Sequence, residues 1–588
     1  MEMITVTING KNYTVEKGCT VLDAARAAKI DIPTLCYLKD INEIGACRLC
    51  LVEVAEKRGE ALGPYRMVTA CVYPATDGMS VLTNTPKIAA SRKMNLELLL
   101  SNHNKQCLSC VRSTNCELQK LCRDYGVEET HFGGAVTETK IDDSSVSIIR
   151  DNSKCILCRR CVAACKKTQG IGVIGANNRG FDTQIGCAFE APLAETSCIN
   201  CGQCIVACPV GALYERDDTD KVFEALADPN KHVLICTAPS VRAQLGECFD
   251  YEPGTDVEGK MVAALKALGF DGVYDMNLTA DLTIVEEANE LLGRVKNGGA
   301  LPMITSCSPG WIKFCEHYFP EMTENLSSCK SPQQMFGAIV KTYYAQKMGW
   351  DPKDIFMVSA IPCTAKKFEV GRADQSAAGV PDVDVAITTR EVGRMIKKAG
   401  INFKALDDAA FDDPFAIGSS AGAIFGATGG VMEAALRYAA EVIEGKKLEK
   451  LEFVEVRGVD GIKTASYKVG DLTINVAVAS STGKAKELLN KVKAGELDVQ
   501  FIEIMGCPGG CVNGGGQPIQ PANVRMNMDL RAVRAAVLYN DDANETLRTS
   551  QDNLAVQVLY DEFFGSPNSH KAHEILHTSY IKRGLYND

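Results

Sequence analysis

Hydrophobic and polar residues alternate from the first positions of the chain. Ile4, Val6 and Ile8 are separated by Thr5 and Thr7, Asn9-Gly10 marks a hairpin turn, and Tyr13 and Val15 continue the pattern on a return strand. Thr20 to Ala28 then reads as a short helix with a Thr20/Asp23 capping-box start. Strand, strand, helix and a cysteine loop predict a small β-grasp unit over 1–80. Residues 81–145 carry a helical stretch, SRKMNLELLLSNH, ahead of a cysteine group, and 146–215 is an internal repeat. From 216 to 525, strand-like runs (VLICTAP, LPMITSC, DIFMVSAIPC, DVDVAIT, INVAVAS, VQFIEIMGC) alternate with helical segments. That rhythm predicts α/β architecture with largely parallel sheets. Residues 526–588 read as helical. The expected fold is therefore multidomain, α+β followed by a large α/β unit.

Composition narrows the partners. A net charge of −11 argues against nucleic acid and against an anionic membrane surface. No basic segment followed by an apolar run opens the chain, and no apolar run reaches membrane-spanning length. With 26 cysteines and no export signal, the expectation is a reducing cytoplasm and metal binding rather than disulfides.

The cysteines fall into groups with metal-ligand spacing. Cys36, Cys47, Cys50 and Cys71 form C-x10-C-x2-C-x20-C, suited to a [2Fe–2S] centre in a β-grasp setting, with zinc as the alternative. His103, Cys107, Cys110 and Cys116 form H-x3-C-x2-C-x5-C. Alone this set is as zinc-like as iron-like; between iron–sulfur modules it reads as a [4Fe–4S] cluster with one imidazole ligand. The repeat consists of two C-x2-C-x2-C-x3-C runs. In two-cluster ferredoxins the fourth cysteine of each run crosses to the other cluster. Cys155, Cys158, Cys161 and Cys208 are thus expected to hold one [4Fe–4S] centre, and Cys198, Cys201, Cys204 and Cys165 the second. Cys19, Cys122, Cys187, Cys236, Cys248, Cys315 and Cys329 stand outside these patterns and are expected as buried small apolar side chains.

Three later segments match no ferredoxin spacing: TSCSPGW at 305–311, IPCTAKKFE at 361–369 and EIMGCPGGCVNGGG at 503–516. Each begins where a predicted strand ends, the usual place for sites in open α/β sheets. Cys507 and Cys511 are close enough in sequence to share a cluster, and Cys363 would add a thiolate from another strand end. The glycines around Cys511 suit close approach of backbone to a bulky inorganic group. Lys366 would hold an anionic ligand, or else be solvated.

These segments, in this order behind the cysteine ladder, resemble the catalytic subunit of [FeFe]-hydrogenases over essentially the whole chain. The resemblance implies an H-cluster, a [4Fe–4S] cubane joined through a cysteine to a two-iron unit with CO, cyanide and azadithiolate ligands. It implies that Cys363, Cys507 and Cys511 ligate the cubane, with Cys511 bridging to the two-iron unit. Lys366 matches the lysine that holds a cyanide, while Met505 and Phe425 match residues packed around the two-iron unit. Cys307 matches the thiol that passes protons, and Glu287, Ser327, Glu290 and Arg294 match the relay to the surface. Two positions depart from the family: Ser308 stands where a cysteine usually gives the fourth cubane ligand, and Ile361 stands where a methionine is usual. The fourth donor is therefore open between Ser308, another group and Cys307.

The implied activity is reversible H2 ⇌ 2H⁺ + 2e⁻, with one [2Fe–2S] and three accessory [4Fe–4S] clusters carrying electrons. No strand–GxGxxG–helix or flavin motif is present, so NAD(P) and flavin would sit on partner subunits. The N-terminal modules are similar to part of a respiratory complex I subunit. This favours docking to diaphorase-like subunits in a ferredoxin- and NAD(P)-linked, electron-bifurcating complex. The alternatives are a stand-alone ferredoxin-dependent enzyme and an H2 sensor without turnover. Dedicated maturases would have to build the two-iron unit.

Overall fold

The computed structural model describes residues 2–585 except 129, 416, 460, 470 and 471. At the N-terminus the hairpin Met3–Ile8/Lys11–Glu16 closes through Asn9 and Gly10, both at positive φ (47° and 81°), as a two-residue turn matched to strand twist requires. The helix Val21–Ala27 follows with the Thr20/Asp23 capping box formed in both directions. A five-stranded sheet results, in the order Lys11–Glu16, Met3–Ile8, Ser80–Leu82, Leu51–Ala55 and Arg66–Thr69. The β-grasp expectation therefore holds. The helical stretch expected at 91–103 belongs, as far as Ser101, to the helix Pro86–Ser101, capped by the Thr85 hydroxyl and begun by a proline.

The large α/β half contains two four-stranded sheets. One is wholly parallel, ordered Gly272–Asp275, His232–Thr237, Ile355–Ile361, Val385–Thr388. The other runs Met303–Ile304, Phe501–Met505, Leu472–Ser480, Ile462–Val469, and its last strand is antiparallel. Strands Gly272–Asp275 and Ile462–Val469 escape the sequence reading. The first is a short GVYD run with no alternation, and the second alternates on a largely solvated face. Met303–Ile304 and Phe501–Met505 are parallel neighbours, so the loops carrying Cys307 and Cys507 leave the sheet side by side. The loop with Cys363 leaves the first sheet after Ile361.

The ferredoxin-like segment is locked onto this half by polar contacts and by close backbone approach. Gln169 Nε2 donates to the Gly506 carbonyl at 2.9 Å, and its Oε1 accepts from the Thr482 amide at 3.1 Å. Gln203 Nε2 donates to the Asn513 carbonyl at 2.9 Å, and the Thr364 hydroxyl donates to the Asn200 carbonyl at 2.7 Å. Just beyond that segment, buried Lys367 bonds both Asp218 (2.6 Å) and Glu391 (2.9 Å). Gly202 and Gly515 meet backbone to backbone: a Cβ on Gly515 would lie 2.3 Å from the Cys201 carbonyl oxygen.

That contact leaves no room for a methyl group. Gly515→Ala is expected to cost about 1–3 kcal/mol through overpacking. Anaerobic thermal unfolding checks this, and an unchanged melting temperature would show that the seam yields freely.

Candidate active site

The three strand-end loops converge on one cavity. Its lining includes Cys307 and Ser308 from the first segment, Cys363 and Lys366 from the second, and Cys507 and Cys511 from the third. Met505, Phe425 and Ile361 complete an almost wholly apolar wall with Pro239, Met276 and Ala280. Segments far apart in sequence are thus brought together as the resemblance implied. Among the described residues every cysteine is a free thiol.

Burial governs the chemistry of these thiols. Burial pushes the Cys511 thiol up to about 12, with the neighbouring Cys363 charge adding and Lys366 offsetting. Cys507 is driven well above the usual range by burial and by Cys363. Cys363 is raised by burial and eased by the Lys366 ammonium. Buried thiols in an apolar cavity beside one lysine suit a metal cluster, because coordination removes the protons that burial otherwise keeps on sulfur. Lys366 is aimed by Glu369, whose Oε2 accepts from it at 2.9 Å. The same carboxylate oxygen takes hydrogen bonds from the Ser331 hydroxyl (2.9 Å) and from Gln333 (3.1 Å). Glu369 and Gln333 carried no role in the sequence reading; the Lys366/Glu369 spacing of three on one helix was the available signal.

Ser308 precedes the helix Pro309–Tyr318, and its hydroxyl accepts from the Gly506 amide at 3.1 Å. Cys307 faces the other way electrostatically. Its thiol is pushed well above the usual range by burial and then by Glu287, with Lys366 opposing. Glu287 lies on the long helix Asn277–Asn297, behind the cavity and outside its lining. It is 1% exposed, and neither of its oxygens holds a hydrogen bond of its own. Burial pushes its carboxyl up to about 8; the nearby Ser327 hydroxyl restrains the rise and Glu290 adds to it. The Ser327 hydroxyl donates to Glu290 Oε2 at 3.0 Å, and Arg294 bonds Glu290 Oε1 at 2.6 Å. Cys307, Glu287, Ser327, Glu290 and Arg294 thus follow one another outward from the cavity.

Several of the accessory cysteines lie close to one another. Cys50 and Cys71 Sγ lie 3.2 Å apart, and the Cys36 sulfur accepts from the Cys47 amide at 3.5 Å. His103 has its basicity lowered by burial, and its Nδ1 is buried with no hydrogen-bond partner, as an imidazole kept neutral for a metal would be. Cys116 lies within electrostatic range of Cys110. Cys161 is influenced by Cys158, Cys155 and Cys208 together. Cys165, the fourth cysteine of the first run, lines a single cavity with Cys198, Cys201 and Cys204 of the second. Of the seven cysteines outside these sets, Cys122, Cys187, Cys236, Cys315 and Cys329 are buried as expected, whereas Cys19 and Cys248 are only half-buried. Cys329 also departs from the expectation of a purely apolar setting, since its thiol faces Glu290.

Comparison with known proteins agrees with this architecture. Residues 231–515 match the model of the iron only hydrogenase large subunit, C-terminal domain, and 528–583 match the iron hydrogenase small subunit. Residues 1–86 match a 2Fe-2S iron-sulfur cluster binding domain. Residues 92–131 match the NADH-ubiquinone oxidoreductase-G iron-sulfur binding region, and 145–214 the ferredoxin-like domain of NADH-quinone oxidoreductase subunit 3. The chain is 48% identical to the NADP-reducing hydrogenase subunit HndD of Solidesulfovibrio fructosivorans, covering 99% of this chain and 100% of that protein. It is 44% identical to iron hydrogenase 1 of Clostridium pasteurianum over 99% and 100% of the two chains. The solved apo [FeFe]-hydrogenase HydA1 of Chlamydomonas reinhardtii superposes with a TM-score of 0.56 at 40% identity, covering 63% of this chain and 100% of that one. With the cavity built by its three strand-end loops and accessory iron–sulfur domains ahead of it, the chain belongs to the iron-only, or [FeFe], hydrogenase family.

Proposed function

We propose that this hydrogenase interconverts H2 with protons and electrons at an H-cluster seated in the cavity, and that it works within an NAD(P)-linked, electron-bifurcating complex. The observation that carries the reading is the meeting of Cys363, Cys507, Cys511, Lys366 and Cys307 around one buried apolar space with a carboxylate relay behind Cys307. When bound, the H-cluster supplies the iron chemistry that makes or breaks the H–H bond.

The chain's own residues supply everything around that chemistry. Cys363, Cys507 and Cys511 hold the cubane. Ser308, whose oxygen is tied to the amide preceding Cys507, belongs to the cubane side, whereas Cys307 belongs to the proton side beside Glu287. Lys366, fixed by Glu369, presents a cation to an anionic ligand, and Met505 and Phe425 exclude water. Cys307 gives or takes a proton at Sγ, Glu287 carries it, and the Ser327 hydroxyl hands it to Glu290, which Arg294 orients. A carboxyl titrating near neutrality is suited to this work, because both of its protonation states are accessible.

The four accessory ligand sets would hold one [2Fe–2S] and three [4Fe–4S] clusters, which would supply the electron path. The contact of Gly202 with Gly515 brings the last ferredoxin-like run against the catalytic loop. Ferredoxin and diaphorase-like flavin and NAD(P) subunits are the proposed redox partners. Dedicated maturases deliver the two-iron unit, and the cytoplasm is the proposed location. Among the described residues no helix is long and apolar enough to cross a membrane. The named activity of the NADP-reducing relative and the two respiratory-type N-terminal matches support the NAD(P) link. The intact series from Cys307 to Glu290 favours turnover over sensing.

Four outcomes test these statements. After maturation, infrared spectra should show CO and cyanide bands; their absence from the matured, iron-replete protein would remove the H-cluster. Cys307→Ala should lower turnover by about 10²-fold or more while leaving the electron paramagnetic resonance of cubane and accessory clusters unchanged; loss of the cubane signal would make Cys307 a ligand instead. Glu287 should hold its proton at neutral pH and lose it as pH rises through about 8. A carboxylic C=O band in difference infrared spectra, absent from Glu287→Gln, reports this, and a fully ionised Glu287 at neutral pH would contradict it. For the complex, native sizing should recover flavin-containing subunits with the chain. A flavin-free monomer with full ferredoxin-linked activity would sink that part.

A further inference from the structure

A second group of ligating side chains stands where the relay nears the C-terminal segment. That segment lies antiparallel to residues 328–330. The Lys330 amide donates to the Leu576 carbonyl and the Thr578 amide to the Ser328 carbonyl, both at 2.8 Å, placing His577 opposite Cys329. Glu290, Cys329 and His577 each offer a ligand atom, and the three atoms lie within 4.8 Å of one another. Cys329 and His577 are buried and Glu290 is half-buried.

An independent contact prepares the histidine. Its Nε2 lies 3.2 Å from Oε2 of Glu286, a fully buried carboxylate whose other oxygen takes the Tyr560 hydroxyl at 2.5 Å. The Asn568 amide fixes Oε2 from a further side at 2.8 Å. Glu286 accepts a hydrogen bond and cannot give one while ionised, so the hydrogen-bond network assigns the ring proton to Nε2. The Nδ1 lone pair then points to the Ser328 hydroxyl, 2.7 Å away. A carboxylate holding the far nitrogen of an imidazole is the arrangement that orients histidine ligands in metal sites. The Cys329 thiol is 3.8 Å from Glu290 Oε2. One imidazole nitrogen, one sulfur and one carboxylate oxygen suit zinc-class cations, not calcium or magnesium, which take oxygen donors.

We propose that Glu290, Cys329 and His577 form a binding site for a zinc-class divalent cation, and that its occupation closes the proton relay by taking the Glu290 carboxylate. Binding displaces the Cys329 thiol proton to solvent, leaving a thiolate on the cation. The cation also competes with Ser327 and Arg294 for the Glu290 oxygens. The closing effect, though not the site, rests on the reading of Glu290 as a relay member.

The test uses the matured protein under anaerobic conditions with zinc sulfate as the probe. Zinc content is measured after gel filtration, and H2-dependent dye reduction is measured with zinc and again after chelation. Wild type should retain about one equivalent more zinc than Cys329→Ala or His577→Gln. Its inhibition should need at least about tenfold less zinc than either variant's and should reverse on chelation. Two variants on different segments guard against one that misfolds. Equal zinc content in wild type and both variants overturns the site. Cys329-dependent binding with turnover unaffected keeps the site and overturns the Glu290 relay instead.

Discussion

The catalytic half depends on the exclusion of water from one apolar cavity. Removing water makes each isolated charge costly. It keeps the Cys507 and Cys511 sulfurs protonated until something positive replaces the proton. It also holds Glu287 near neutrality, where a single carboxyl is both a usable acid and a usable base. The same dryness means that protons and electrons cannot diffuse in through solvent. The proposed relay behind Cys307 and the proposed cluster path on the Cys507 side would both answer that one constraint, from opposite walls.

The walls are positioned by sheet geometry. Parallel pairing of Met303–Ile304 with Phe501–Met505 sends the Cys307 and Cys507 loops out of adjacent strands. Divergence then comes from small residues. The Gly506 amide ties Ser308 toward the cubane loop, and Gly515 lets the ferredoxin-like run press against that loop with no side chain between. This close backbone approach leaves backbone polar groups in the seam. Gln169, Gln203 and Thr364 satisfy carbonyls there from the opposite side.

Much of this was legible in the sequence because cluster chemistry is written locally. A C-x2-C-x2-C-x3-C run places its thiols by spacing alone, and the strand-end position of Cys363 and Cys507 follows from strand length and the glycines after it. The β-grasp hairpin was equally readable from Asn9-Gly10. What escaped reading was set by contacts distant in sequence. Glu369 became the anchor of Lys366 through Ser331 and Gln333 on another helix and its approach. Strand Gly272–Asp275 is buried on both faces, so it lacks the alternation that identifies half-buried strands. Cys329 read as an isolated core thiol because nothing near it in sequence announces His577, which lies 248 positions later by its own numbering.

That last contact bears on why the C-terminal segment is part of the catalytic apparatus at all. It adds no residue to the cavity lining. It closes the far side of the relay: His577 bonds Ser328, the Tyr580 hydroxyl bonds the Ser327 carbonyl, and Arg583 pairs with Glu316 on the helix that Ser308 begins. Ser327 donates to Glu290 from a backbone that the tail ties down through the Cys329–His577 bridge and its two flanking hydrogen bonds. A hydroxyl that must rotate to pass a proton needs a backbone that does not move with it. Pairing 328–330 with 576–578 supplies that fixed backbone, so on the proposed relay the tail would act by limiting motion rather than by adding chemistry.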